Sequence, residues 1–142
     1  MNELQVHNGD LIAVYGLLRV GQSGFNKFGL EQAFSYMGPC KIAGKMLDMD
    51  GFPGLFAGEG VVVGDLFRIV DPQIMISLDE FEDFWPQQAE KSRYVRKKTQ
   101  LIAPEATQAW LYHCLLPATD RPQVLDGDWV KWFLEHYSAA KI

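Results

Sequence analysis

Residues 61–70 alternate in character and then break at Asp71-Pro72, and no other feature limits the fold so strongly. Val61, Val63, Asp65, Phe67 and Ile69 fall on one face, with Val62, Gly64, Leu66 and Arg68 on the other. That is the period-two pattern of a strand. Asp71 then suits a helix N-cap and Pro72 the first helical position, where a missing N–H costs nothing. The helix is expected to run to about Asp83 or Trp85 and to stop at Pro86, which disfavours helix in the residue before it.

The flanking segments are mostly strand-like. Residues 11–15 read as a short buried strand ending in Gly16, followed by a glycine-rich loop over 20–28 and a short helix to Phe34. Residues 41–49 read as a second strand with Gly44 inside it, closed by the turn Asp50-Gly51-Phe52-Pro53-Gly54. Residues 94–102 and 107–116 resemble a hairpin joined through Ala103-Pro104-Glu105. Residues 128–140 form an amphipathic helix with Trp129, Trp132, Phe133 and His136 or Tyr137 inward. Strands dominate, which predicts an α+β fold with a largely antiparallel sheet or barrel. The chain of 142 residues suits one domain over 1–142.

Composition excludes several function classes. With 48% hydrophobic residues and 22% charged, the chain has the balance of a folded globular protein. Its net charge of −5 runs against the basic face that nucleic-acid binding requires. No apolar run approaches the roughly 18 residues of a membrane span, and the polar start has no signal-peptide pattern. Cys40 and Cys114 sit in apolar surroundings and are expected to be reduced, buried thiols of a cytoplasmic protein. His113 beside Cys114 gives no catalytic pair, since strand neighbours face opposite ways. The three histidines are scattered and neither cysteine has a partner at ligand spacing, so no metal is expected.

The helix after Asp71 holds the residue with the clearest chemical meaning. At 100° per residue, Ile74, Met75, Leu78, Phe81 and Trp85 share one arc, while Asp79, Glu80 and Asp83 fall outside it as solvated charges. Glu82 falls inside, one turn beyond Leu78. A carboxylate on a buried face needs partners or takes up a proton, and such a group is suited to general acid/base work. The alternative is that Glu82 ends the helix and pairs with Arg93 or Arg96. A second feature is Val14-Tyr15-Gly16-Leu17-Leu18-Arg19, a strand running into glycine. Successive N–H groups there can form an anion nest, or the segment is an ordinary turn. It has neither a phosphate-loop ending nor a dinucleotide fingerprint.

Taken in order, these segments resemble the γ-glutamylcyclotransferase-like superfamily, which includes AIG2-like and YtfP-like proteins. Val14-Tyr15-Gly16-Leu17-Leu18-Arg19 is similar to its Tyr-Gly-(Ser/Thr)-Leu-Arg signature, and Gly51-Phe52-Pro53-Gly54-Leu55 to its Tyr/Phe-Pro-Gly turn. Val63-Gly64-Asp65-Leu66-Phe67 resembles its Gly-Glu-Leu-Tyr strand, and Ser77-Leu78-Asp79-Glu80-Phe81-Glu82 its Leu-Asp-x-Phe-Glu segment. Tyr94-Val95-Arg96 and Asp126-Gly127-Asp128-Trp129 also match. The resemblance implies a small mixed β-barrel flanked by helices. It implies cyclisation of a γ-glutamyl amine or amino acid to 5-oxoproline without a cofactor. Glu82 would be the catalytic acid/base; Tyr15, Gly16, Leu17 and Leu18 would hold the substrate α-carboxylate, with Tyr94 in the pocket. Two positions depart from the pattern: Leu17 replaces Ser/Thr, and Asp83 replaces a common glycine.

Two other readings compete. One is a non-catalytic metabolite-binding or interaction module on the same fold. The other is anion or nucleic-acid binding through Lys91-Ser92-Arg93-Tyr94-Val95-Arg96-Lys97-Lys98, a run that is also consistent with a solvated sheet edge. The amine half of the substrate and the oligomeric state are not encoded in any of these motifs.

Overall fold

The computed structural model describes residues 3–137. Its centre is a five-stranded sheet ordered β2-β3-β1-β5-β4, formed by β1 (Leu11–Val14), β2 (Phe34–Asp48), β3 (Pro53–Ile69), β4 (Tyr94–Gln100) and β5 (Gln108–Cys114). Pairing is antiparallel except between β1 and β5, where Ile12 opposes Trp110. Four α-helices accompany it: α1 (Ser23–Lys27), α2 (Leu30–Ala33), α3 (Ile74–Phe81) and α4 (Trp129–His136). The fold is therefore α+β, as the strand-rich pattern predicts.

The sheet does not close strand to strand, so the expected barrel is only an approximate description. The two edges nevertheless meet. Lys41 on β2 donates its N–H to Ala103 O at 2.9 Å and accepts from Ile102 N–H at 2.9 Å, in the connection after β4. A loop completes the ring where a sixth strand would stand.

Alternation puts apolar residues on both faces of the central strands. Ile12, Val14, Phe67, Ile69, Trp110 and Tyr112 join one core cluster with Met75 and Leu78 of α3. Ala13, Tyr15, Val62, Leu66 and Leu111 join a second, covered by Trp129 of α4. β3 thus has a core on each side, and its alternation separates two cores rather than core from water.

β2 and β3 are longer than the sequence suggests. They form one hairpin whose turn brings Met49 N–H to Phe52 O at 2.8 Å, while Asp48 Oδ1 accepts from Gly51 N–H at 2.8 Å. Asp50 and Gly51 have φ of 74° and 108°, the positive values that primed hairpin turns require. The glycine- and alanine-containing stretch after Pro53 carries no clean period, which hid its strand character.

α3 begins later than expected, at Ile74 with Gln73 as N-cap: Asp71 Oδ1 accepts from Gln73 N–H at 3.1 Å, but this bond closes a turn over Pro72 and Gln73 ahead of the helix and does not cap it. It ends earlier, at Phe81, with Glu82 as C-cap. Phe84 N–H reaches Asp79 O at 2.8 Å, Asp83 N–H reaches Glu80 O at 3.0 Å, and Asp83 has φ of 56°. This is a Schellman ending with Asp83 at the left-handed position, so the stop is set by Asp83 and not by Pro86. Asp128 caps α4 by accepting from Lys131 N–H at 3.2 Å. Only Trp129 of α4 is fully buried; Phe133, His136 and Tyr137 are exposed, contrary to the inward placement expected of Phe133 and of His136 or Tyr137. Residues 138–140, assigned by sequence to this helix, lie outside the described residues. Cys40 and Cys114 are free and buried. Among the described residues no helix is long and apolar enough to cross a membrane.

Candidate functional site

Four connections converge on one cavity of about 150 Å³. Tyr15, Gly16, Leu17 and Leu18 come from the loop after β1, Phe52 from the β2–β3 turn and Pro53 from the first position of β3, Phe81, Glu82 and Asp83 from the end of α3, and Arg93 and Tyr94 from the start of β4. Tyr112 of β5 also lines it. All six residues singled out by sequence line this cavity.

Gly16 is needed here because of a close approach. A Cβ at this position would lie 2.9 Å from Pro53 Cγ, so a side chain would push the two signature loops apart. Gly16 O accepts from Arg19 N–H at 3.1 Å, and Leu17 O accepts from Phe25 N–H at 3.1 Å, which fixes the loop against α1. The N–H groups of Leu17 and Leu18 donate to no acceptor among the described residues. Arg19, the last signature residue, does not line the cavity. It bonds Asp65 of β3 at 3.3 Å and Asp128 at 3.5 Å, while Asp65 also accepts from Val20 N–H at 3.0 Å. Three of the sequence motifs are therefore tied together by one partly buried charge cluster that holds the loop's shape.

Glu82 stays on the Leu78 face because its N–H still bonds Leu78 O at 2.9 Å, with φ of −82°. Its carboxylate makes no hydrogen bond or ion pair with any described residue. The pairing with Arg93 or Arg96 weighed from sequence does not form: Arg93 pairs with Asp83 at 3.3 Å and Arg96 with Asp79 at 2.8 Å. Burial, and secondarily the charge of Asp79, push the Glu82 carboxyl up to about 8.

The tyrosines around Glu82 are already committed. Tyr15 donates to Tyr112 O at 2.7 Å, Tyr94 donates to Pro53 O, and Tyr112 donates to Asp79 Oδ1 at 2.6 Å. Burial raises all three phenols well above their ordinary range, so they remain neutral walls that keep their protons. Of the two carboxyl groups that line the cavity, Asp83 is paired with Arg93 and Glu82 has no partner among the described residues.

Asp79 corrects the sequence reading. It is not a solvated charge; its side chain is largely buried between Arg96 and Tyr112. The signal was present in the motif, but a helical wheel cannot see a buried cation arriving from β4. Phe81 and Trp85, expected inward, are each more than a third exposed. The basic run over 91–98 is not a continuous patch either: Arg96 is only 4% exposed and points into the core side of β4. Ala13, Val14, Phe52, Pro53, Phe81, Asp83, Arg93 and Tyr112 also line the cavity and are not among the six, although Val14, Phe52, Pro53 and Phe81 stand in the quoted motifs.

A family model described as "Gamma-glutamyl cyclotransferase, AIG2-like" matches residues 12–131. The chain belongs to this family. The match takes in every residue that lines the cavity. No curated protein matches the chain. Among solved structures it is similar to protein PH0828 of Pyrococcus horikoshii, with TM-score 0.66 and 20% identity over 92% of this chain and 98% of that one. It is similar to protein ytfP of Escherichia coli, with TM-score 0.61 and 25% identity over 86% and 97% of the two chains. An AIG2-like protein of Mus musculus gives TM-score 0.59 and 21% identity over 80% and 82%. These likenesses show the fold.

Proposed function

We propose that the chain converts γ-glutamyl amines or γ-glutamyl amino acids to 5-oxoproline, with Glu82 as general base and then general acid. The observation that carries this reading is the unpartnered Glu82 carboxyl in the same cavity as the free N–H groups of Leu17 and Leu18. A site with proton-exchange capacity beside an anion-binding loop fits a substrate that carries both a carboxylate and an ammonium group. The family match supports the same reaction class.

The chemistry balances without a cofactor. The loop N–H groups hold the α-carboxylate. Glu82 takes a proton from the α-ammonium, and the freed amine attacks the γ-carbonyl carbon, forming the ring C–N bond. The ring nitrogen sheds a second proton as the original amide C–N bond breaks. The leaving nitrogen gains both protons and departs as an ammonium. Glu82 ends in its starting state. Holding the amine and carbonyl together makes ring closure an intramolecular step, so positioning supplies much of the acceleration. Tyr15 and Tyr94 shape the cavity around the γ-glutamyl chain, and Leu17 contacts it through backbone rather than through the hydroxyl the family usually places there.

The two buried free thiols suit a reducing compartment, which supports placing the protein in the cytoplasm. The test is 5-oxoproline release from γ-glutamyl compounds by the wild type and by Glu82→Gln. Release that requires Glu82 supports the reading; folded protein that releases none from any compound contradicts it and favours a metabolite-binding module.

A further inference from the structure

Exposure divides the cavity into a floor and a mouth. Tyr15, Leu18, Tyr94 and Tyr112 are all less than a tenth exposed, whereas Phe81 is 38% exposed and the side chains of Asp83 and Arg93 are 37% and 55% exposed. The cavity, about 150 Å³, has the volume of a molecule the size of benzene. On the cyclotransferase reading the γ-glutamyl group would fill the floor, and the amine half would extend through the mouth past Arg93.

Among the described residues Arg93 is the one cationic side chain lining the cavity. Its position is fixed at three points. Its N–H donates to Asp83 O at 2.9 Å, its O accepts from Leu115 N–H at 2.7 Å, and its Nε lies 3.3 Å from Asp83 Oδ2. The guanidinium carbon stands 5.9 Å from the centre of the Phe52 ring. Asp83 takes the Nε edge, which leaves the outer N–H groups of the fork directed to no described acceptor. Because Asp83 directly follows Glu82, the fork is anchored to the residue next to the proposed acid/base. Guanidinium forks match carboxylates in geometry and charge.

We infer that Arg93 is a specificity-determining residue that reads a carboxylate on the leaving amine half, so that the preferred substrates are γ-glutamyl amino acids or peptides rather than γ-glutamyl alkylamines. The inference rests on the cyclotransferase reading. It requires that the glutamyl α-carboxylate be held by the Leu17–Leu18 backbone, which leaves Arg93 free for the second carboxylate.

The test compares γ-glutamyl-leucine with γ-glutamyl-3-methylbutylamine, which differ only in that carboxylate. Wild type is expected to favour the leucine compound in kcat/KM by tenfold or more. Arg93→Gln should bring the ratio to within about twofold of unity, and Arg93→Lys should keep part of the preference, since charge survives without the fork. No preference in the wild type, or a preference that Arg93→Gln leaves intact, overturns the inference while leaving the cyclotransferase reading standing. Equal loss on both compounds in Arg93→Gln also overturns it, by assigning Arg93 to the glutamyl carboxylate. Turnover of neither compound by folded wild type overturns this inference; the cyclotransferase reading falls with it when no other γ-glutamyl compound releases 5-oxoproline either.

Discussion

Asp79 holds Arg96 through both carboxylate oxygens, at 2.8 Å to Nε and 2.9 Å to Nη2, one helical turn before the residues that end α3. The guanidinium is almost wholly buried, stacked 4.6 Å from the Trp110 ring, and also donates to Leu4 O at 3.1 Å. This pair joins the Glu82 end of α3 to β4 and places a negative charge where it raises the Glu82 carboxyl. Asp79→Asn should therefore have two effects. Stability should fall by about 3–5 kcal/mol, because a buried cation loses its counter-ion. In the protein that still folds, the rise of kcat/KM with pH should move to lower pH, because the Asp79 charge that lifts Glu82 is gone. Denaturant unfolding and a pH–rate profile check the two separately.

The pH dependence of the wild type follows from Glu82. The ionised carboxylate is the base, and its carboxyl is raised to about 8. Acting as base, Glu82 should make kcat/KM climb about tenfold per pH unit below that value. A profile already flat between pH 5 and 7 would remove Glu82 from this role.

Stability should vary with pH in the opposite sense. Unfolded, Glu82 ionises near its ordinary value of 4.5; folded, it holds its proton to about 8. The protonated carboxyl favours the fold fully below about 4.5, and that contribution is lost as pH rises through about 8. Relative to Glu82→Gln, the wild type should thus weaken between those limits, by on the order of 2–4 kcal/mol. Paired denaturant curves at pH 5 and pH 8.5 measure this; an unchanging gap between the two proteins would contradict it.

The end of α3 also shows where sequence was legible and where it was not. The wheel placed Glu82 inward because Leu78 and Glu82 are one turn apart, and local periodicity is all that inference needs. It could not place Asp79, whose surroundings are supplied by Arg96, Trp110 and Tyr112 from strands far along the chain. The strand elements with clean alternation, such as 61–69, were readable for the same local reason. The first half of β3 and the loop that joins the sheet's edges were not, because pairing partners and not periodicity define them. The cavity itself became visible only when Gly16 and Pro53, 37 positions apart in the chain, came into contact.

Asp83 stands where a left-handed residue is required, and aspartate tolerates that conformation better than most. Its side chain also bonds Arg93 and Trp85 Nε1. Asp83→Ala should cost roughly 1–2 kcal/mol from the backbone alone, whereas Asp83→Gly should cost less despite losing the same side-chain bonds. Thermal unfolding of the two variants distinguishes these; equal losses would mean the side-chain bonds, and not the left-handed turn, dominate.

Gly16→Ala should open the contact with Pro53 and displace the donor loop. The expected result is a destabilisation of about 1–3 kcal/mol from overpacking together with a rise in KM for γ-glutamyl substrate. Unaltered KM in a folded variant would show that the loop does not hold the substrate carboxylate.

The measurement that bears most directly on the central claim is 5-oxoproline release from a panel of γ-glutamyl compounds, wild type beside Glu82→Gln. The wild type should release 5-oxoproline, and the variant should lose about 10²–10⁴-fold in rate while keeping its fold and its ligand affinity. Release at the wild-type rate by folded Glu82→Gln would contradict it.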